Sequence, residues 1–165
     1  MKIEKLIRLM LCLGLCGLSA RADDRGGFQA RLVGSAVGEH VAGIPSGGAP
    51  WVVAHSEVNV NSNGKIDVFI KGLLIASGPA ANTVGPVTMV FATLVCGDVD
   101  AADTTSVPLS SSGDAKIRDT ISVPSPCIAP AVLIRVAATT SGPVTNGPFI
   151  AVNALTTASD NEHGY

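Results

Sequence analysis

Charge is scarce in this chain and aromatic side chains are scarcer: 15% of the residues are charged and 4% aromatic, while 47% are hydrophobic. Disordered segments need the opposite balance, high charge with little apolar surface to bury, so an unfolded chain is excluded. Basic residues are scarcest beyond the N-terminus. Of 11 Lys and Arg, four fall in the first 22 residues together with one of the 13 acids, leaving seven basic against twelve acidic residues thereafter, a net charge of −5. Such a surface lacks the basic stripe that nucleic-acid phosphates require, and equally the polybasic cluster of a membrane-surface module. Beyond the N-terminus no apolar run is long enough to cross a bilayer as a helix.

Motifs are absent too. The chain has no Gly-x-Ser-x-Gly elbow, no His-Glu-x-x-His, no P-loop and no dinucleotide fingerprint, so no cofactor is expected and no enzyme class is selected. Cys-x-x-Cys, the spacing that lowers a thiol pKa, is missing. After residue 22 there is no Asn-x-Ser/Thr, which removes N-glycosylation.

What is present begins with an export signal. Lys2, Lys5 and Arg8 precede an uncharged apolar stretch over residues 9–18, and Ala20, Arg21 and Ala22 supply small residues at the −3 and −1 positions of a cleavage site before Asp23. The apolar stretch is roughly half of the ~20 residues a spanning helix needs, which favours a cleaved leader over an anchor. Cys12 and Cys16 each follow a leucine, unlike a lipid-attachment cysteine, which follows a small residue. The expected organisation is a cleavable signal over 1–22, one domain over 23–157 and a flexible tail over 158–165. The expected location is secreted or periplasmic, with no transmembrane segment after cleavage.

The chain holds 18 glycines and 10 prolines, and Val, Ile and Thr crowd the segments between them. Beta-branched residues suit a pleated surface, and Gly and Pro punctuate short strands. Strands are expected over residues 28–33, 51–60, 65–71, 87–96, 106–109, 115–123, 131–137 and 149–155, with a further short one around 37–41. The set reads as an all-β fold, a single antiparallel β-sandwich of about seven to nine short strands, with a small β-barrel as the alternative. Residues 51–60 and 65–71 alternate with period two across Asn61-Ser62-Asn63-Gly64, which is turn chemistry, and so form a hairpin. Residues 106–109 and 115–123 flank a Ser/Gly-rich turn and suggest a second one. Residues 87–96 are apolar on both faces, as in a strand covered on both sides. Residues 34–50, rich in glycine, are too long for a plain connection.

Four sets of residues carry candidate roles. Cys96 and Cys127 are the only cysteines beyond the leader, and an oxidising compartment predicts that they pair. A loop of that length gives about 3–4 kcal/mol in the chain-entropy account. Asp98, Asp100 and Asp103 cluster like ligands for a hard cation, although they lack the glycine and glutamate of an EF-hand loop, and three aspartates after a strand are ordinarily turn formers. His40, His55 and Glu57 could hold zinc or copper but show no close ligand spacing, so surface histidines beside carboxylates are the plainer expectation. The fourth set follows from register. Pairing Val60 with Ile66 places His55 opposite Lys71, Val53 opposite Leu73 and Trp51 opposite Ile75. Trp51, Val53, Leu73 and Ile75 then form an apolar patch on the face away from the core, covered by residues 34–50 or serving as a docking patch for a protein or other surface ligand. The function expected is a non-catalytic binding or structural module; a metal-binding domain and a small hydrolase are the rival readings.

Overall fold

In the hairpin at the centre of the molecule, β4 (Trp51–Asn61) pairs with β5 (Lys65–Ile75) in the register expected from the sequence, from Val60↔Ile66 to Trp51↔Ile75. The computed structural model describes residues 27–154; the segment over 1–22 expected as a signal and the one over 158–165 expected as a tail lie outside them. Among the described residues there is no helix, and every ladder between strands is antiparallel. The remaining strands are β1 (Gly27–Gly34), β2 (His40–Val41), β3 (Ile44–Pro45), β6 (Val87–Cys96), β7 (Val99–Asp103), β8 (Val107–Pro108), β9 (Ala115–Thr120), β10 (Pro130–Thr139), β11 (Gly142–Pro143) and β12 (Phe149–Ala154).

One curled sheet runs in the order β7-β6-β10-β12-β1-β4-β5-β9, with β8 beside β6 and β11 beside β10, while β2 and β3 form a separate small hairpin. Strand β1 makes the curl. Its first half pairs with β4, from Gly27↔Asn61 to Ala30↔Val58, and its second half pairs with β12, from Arg31↔Ala154 to Gly34↔Ala151. Where β1 leaves β4, the Ser56 hydroxyl replaces the ladder by accepting the Leu32 N–H at 2.7 Å and donating to the Leu32 carbonyl at 3.4 Å. That explains a buried serine in an otherwise apolar row. The two wings of the sheet therefore face each other as a sandwich. Val58, Val60, Ile66, Val68, Ile70 and Ile117 of one wing pack with Val90, Leu94, Val132, Ile134 and Ile150 of the other. Branched aliphatic residues build this core, in keeping with the scarcity of aromatics.

Strand β6 is covered on both faces as expected. The second cover is the β2–β3 hairpin, whose Ile44 caps Val95, Leu133 and Phe149 on the outer face of the β6–β10–β12 wing. The glycine-rich segment thus folds back as a lid. Gly47 N–H donates to the Phe149 carbonyl at 2.9 Å and Ser35 N–H to the Ile150 carbonyl at 3.1 Å.

Two expectations are corrected. Residues 106–109 and 115–123 do not form a hairpin: β8 pairs with β6 and β9 pairs with β5. The turn between them, closed by Gly113 N–H to the Ser110 carbonyl at 2.9 Å, carries the chain from one wing to the other. The apolar patch is not on the surface either. Trp51 and Ile75 are buried, Leu73 is fully so, and Val53 is half-buried against the core. The buried side of the hairpin changes parity along its length. Even-numbered residues point inward from Ser56 to Ile70, and odd-numbered ones do so at Trp51, Leu73 and Ile75. The switch sits at Gly72, whose φ of 63° lies in the left-handed region, so the strand swivels there without losing register. Residues 35–50 complete the cover, with Ser35 accepting the Trp51 N–H at 2.8 Å and Gly47 against the indole.

Candidate binding site

The sandwich is open at the end where the β4–β5 turn, the start of β1 and the ends of β6 and β10 converge. The connection over residues 121–130 straps across this end. At one side Ile121 N–H donates to the Gly64 carbonyl at 2.9 Å, and a Cβ on Gly64 would stand 2.0 Å from the Ile121 carbonyl oxygen. Only glycine, here with φ of 87°, allows that approach. At the other side Cys127 is bonded to Cys96 at the end of β6, with Cα atoms 5.0 Å apart. The expected disulfide is therefore present, and it anchors the strap.

Beneath the strap lies a cavity of about 310 Å³. Phe28, Val60, Leu94, Val123, Pro124 and Pro130 supply apolar walls, disulfide-bonded Cys127 joins them, and Asn61, Ser62 and Ser125 supply the polar groups. No lining residue carries an acid, a base or a free thiol. The residue types suit a neutral, mainly apolar molecule with a group able to hydrogen-bond to an amide or hydroxyl. Sequence reasoning did not find this site, because its walls come from four separate segments and none bears a motif.

The metal candidates are placed elsewhere and apart. Residues 99–103 form not a loop but the edge strand β7, with Asp100 opposite Val95 and Val99 opposite Cys96. Asp100 accepts from Arg135 Nη1 at 3.1 Å, and Asp103 accepts from the Thr93 hydroxyl. Burial and then the neighbouring Asp103 charge push the Asp100 carboxyl above its ordinary value, against the pull of Arg135. Asp98 is exposed in the turn before β7. His40 is exposed on β2, whereas His55 lies on β4 with Nε2 3.7 Å from Glu57 Oε1. Among the described residues no group of three or more His, Cys, Asp or Glu comes together that could hold a metal ion. The metal-binding reading is thereby corrected: the aspartates serve a strand edge and the histidines sit on separate elements.

The hydrolase reading finds no footing at His55, whose neighbours are Glu57 and the Phe69 ring, while adjacent Ser56 points to the opposite face of the strand. Arg135 was not singled out by sequence reasoning. It is 4% exposed, its Nε donates to the Gly147 carbonyl at 2.8 Å, and its guanidinium lies 5.2 Å from the centre of the Phe91 ring. The one sequence signal was a lone cation inside the apolar run Val132–Val136. Compared with protein-family models, curated proteins and solved structures, this chain matches none of them.

Proposed function

We propose that this chain is an exported, non-catalytic binding module that takes a small neutral molecule into the cavity under the disulfide-anchored strap. The observation that carries the reading is the lining: apolar walls with a few amide and hydroxyl groups and no titratable side chain. Catalysis of acyl, phosphoryl or glycosyl transfer needs a positioned acid, base or nucleophile, whereas binding needs shape and a few hydrogen bonds. The leader-like N-terminus and the disulfide support export, since structural disulfides persist in oxidising compartments.

The test uses the exported protein and 1-octanol as probe, followed by amide chemical shifts. Saturable shifts are expected at Phe28, Val60, Asn61, Leu94, Val123 and Ser125, and Val123→Trp, which fills the cavity, is expected to remove them in a folded protein. Shifts scattered over the surface, or shifts that persist in Val123→Trp, would overturn the reading.

A further inference from the structure

Among the described residues charge is segregated. The outer face of the β4–β5–β9 wing carries Lys65, Lys71, Lys116 and Arg118 against Glu57 and Asp67, a balance of +2. The rest of the described chain has Arg31 and Arg135 against Glu39, Asp98, Asp100, Asp103, Asp114 and Asp119, a balance of −4. A face of opposite sign to the rest of the molecule is a surface that draws anionic partners and turns its back on cationic ones.

The register of the three strands sets these side chains in rows. Glu57, Phe69 and Lys116 lie side by side, Asn59, Asp67 and Arg118 form the next row, and His55 pairs with Lys71. Phe69 is the aromatic of this face. It is half-buried, His55 meets it edge to face at 6.2 Å between ring centres, and the Lys71 ammonium lies 5.6 Å from its centre. Arg118 Nε is held on the Asp67 carboxylate at 3.1 Å. Among the described residues no acid lies within ion-pair distance of Lys65, Lys71 or Lys116. Lys71 is six positions beyond Lys65, about 20 Å along a strand, so the cations are spread along the face rather than focused on one point.

We infer that this face binds an acidic polysaccharide, with a sugar ring laid against Phe69 and sugar carboxylates met by Lys71 and Lys116. A surface of three paired strands suits an extended polymer. The aromatic ring supplies an apolar platform for the C–H face of a sugar, and Asn59 and Thr120 offer partners for its hydroxyls. The interspersed Glu57 and Asp67 disfavour a nucleic acid, whose phosphates are packed far more densely than one carboxylate per sugar. Phe69 is half-buried and does not protrude as a membrane wedge would. This surface is separate from the cavity under the strap, so either inference stands without the other.

The experiment is affinity electrophoresis of the exported protein through gels containing polygalacturonate, with dextran gels as the neutral control and sedimentation with phosphatidylglycerol vesicles in parallel. Retardation by polygalacturonate and not by dextran is expected. Lys71→Gln combined with Lys116→Gln is expected to weaken it about tenfold, the combined effect of two exposed charge contacts. Phe69→Leu, which keeps apolar volume but removes the ring, is expected to weaken it at unchanged melting temperature and unchanged octanol-induced shifts. No retardation overturns the inference, as does retardation indifferent to both variants, or uptake by the vesicles without retention by the polymer.

Discussion

Asp119 on β9 accepts both the backbone N–H of Thr105 at 2.7 Å and its hydroxyl at 3.0 Å. Thr105 follows β7 on the opposite wing, so one carboxylate fastens the two free edges of the curled sheet to each other. Its other oxygen takes the Thr120 N–H at 2.7 Å. The backbone hydrogen bond from Thr105 first, then that from Thr120 and the Thr105 hydroxyl, hold the Asp119 carboxyl below its ordinary value. A depressed carboxyl stabilises the fold fully above the pKa it has in the unfolded chain and loses that contribution as pH falls through the folded pKa. Asp119→Ala is expected to lower stability at pH 7 by about 1 kcal/mol, since the bonds are solvent-exposed. Asp119→Asn is expected to flatten part of the acid limb of urea midpoint against pH. An acid limb identical to that of the wild type would show that the seam does not depend on this charge.

The strap depends on its staple. Cys96 and Cys127 close a loop across a sequence separation of 31, and in the chain-entropy account breaking it costs about 3–4 kcal/mol. The native protein is expected to show no reactive thiol from this pair. Cys96→Ala together with Cys127→Ala is expected to lower the urea midpoint accordingly and to abolish the octanol-induced shifts, because Val123, Pro124 and Ser125 would lose their anchor. An intact cavity in the double variant would mean that the Ile121–Gly64 hydrogen bond is anchor enough.

Asp100 and Arg135 present the opposite sign from Asp119. Because burial and Asp103 raise the Asp100 carboxyl, the folded protein holds this proton more tightly than the unfolded chain does. Stability from this group is therefore lost as pH rises from the ordinary carboxylate value through the raised one. Asp100→Asn keeps an acceptor for Arg135 and is expected to lie within about 0.5 kcal/mol of wild type at neutral pH, while Asp100→Ala, which leaves a buried guanidinium less well paired, is expected to cost about 1–3 kcal/mol. The wild type is expected to lose ground to Asp100→Asn as pH rises through that window. Equal stabilities for the asparagine and alanine variants would mean that the acceptor is dispensable.

Much of the fold was legible before the structure, and the failures have physical causes. The β4–β5 register followed from two alternating segments and a four-residue turn. The buried side of the far end did not, because Val52 and Leu74 are as apolar as Trp51 and Leu73, so alternation there marks no face. By sequence alone β7 reads as a loop, because two of its five residues are aspartates. Their strand character comes from partners on β6 and β10, which lie outside the segment. The Ser/Gly turn after β8 looked like a hairpin turn, and local chemistry does not tell a hairpin from a crossing between wings. The cysteine pair was legible from count and from the compartment that the N-terminus leads one to expect. The cavity was not, since it exists only once four segments meet.

Gly72 is where that ambiguity is resolved in the molecule, and it yields the last prediction. Its φ of 63° is open to glycine and strained for other residues, and a Cβ there would stand 2.8 Å from the Cβ of Ala54 across the hairpin. Gly72 N–H also donates to Asp114 Oδ1 at 3.1 Å, and Leu73 N–H to the Gly113 carbonyl at 2.9 Å, so the swivel is clamped by the turn before β9. Gly72→Ala therefore meets two separable penalties, one from backbone strain and one from the contact with Ala54. Together they are expected to cost about 2–3 kcal/mol. Adding Ala54→Gly removes the contact and leaves the strain, so the pair is expected to recover part of the loss and no more. Trp51, the single tryptophan of the chain, reports the outcome. Its burial depends on the parity switch, so its emission is expected to shift to the red in Gly72→Ala and to return partway in the double variant. Wild-type emission and stability in Gly72→Ala would show that the strand turns Trp51 inward without the left-handed residue, and that the cover over residues 35–50 suffices to bury it.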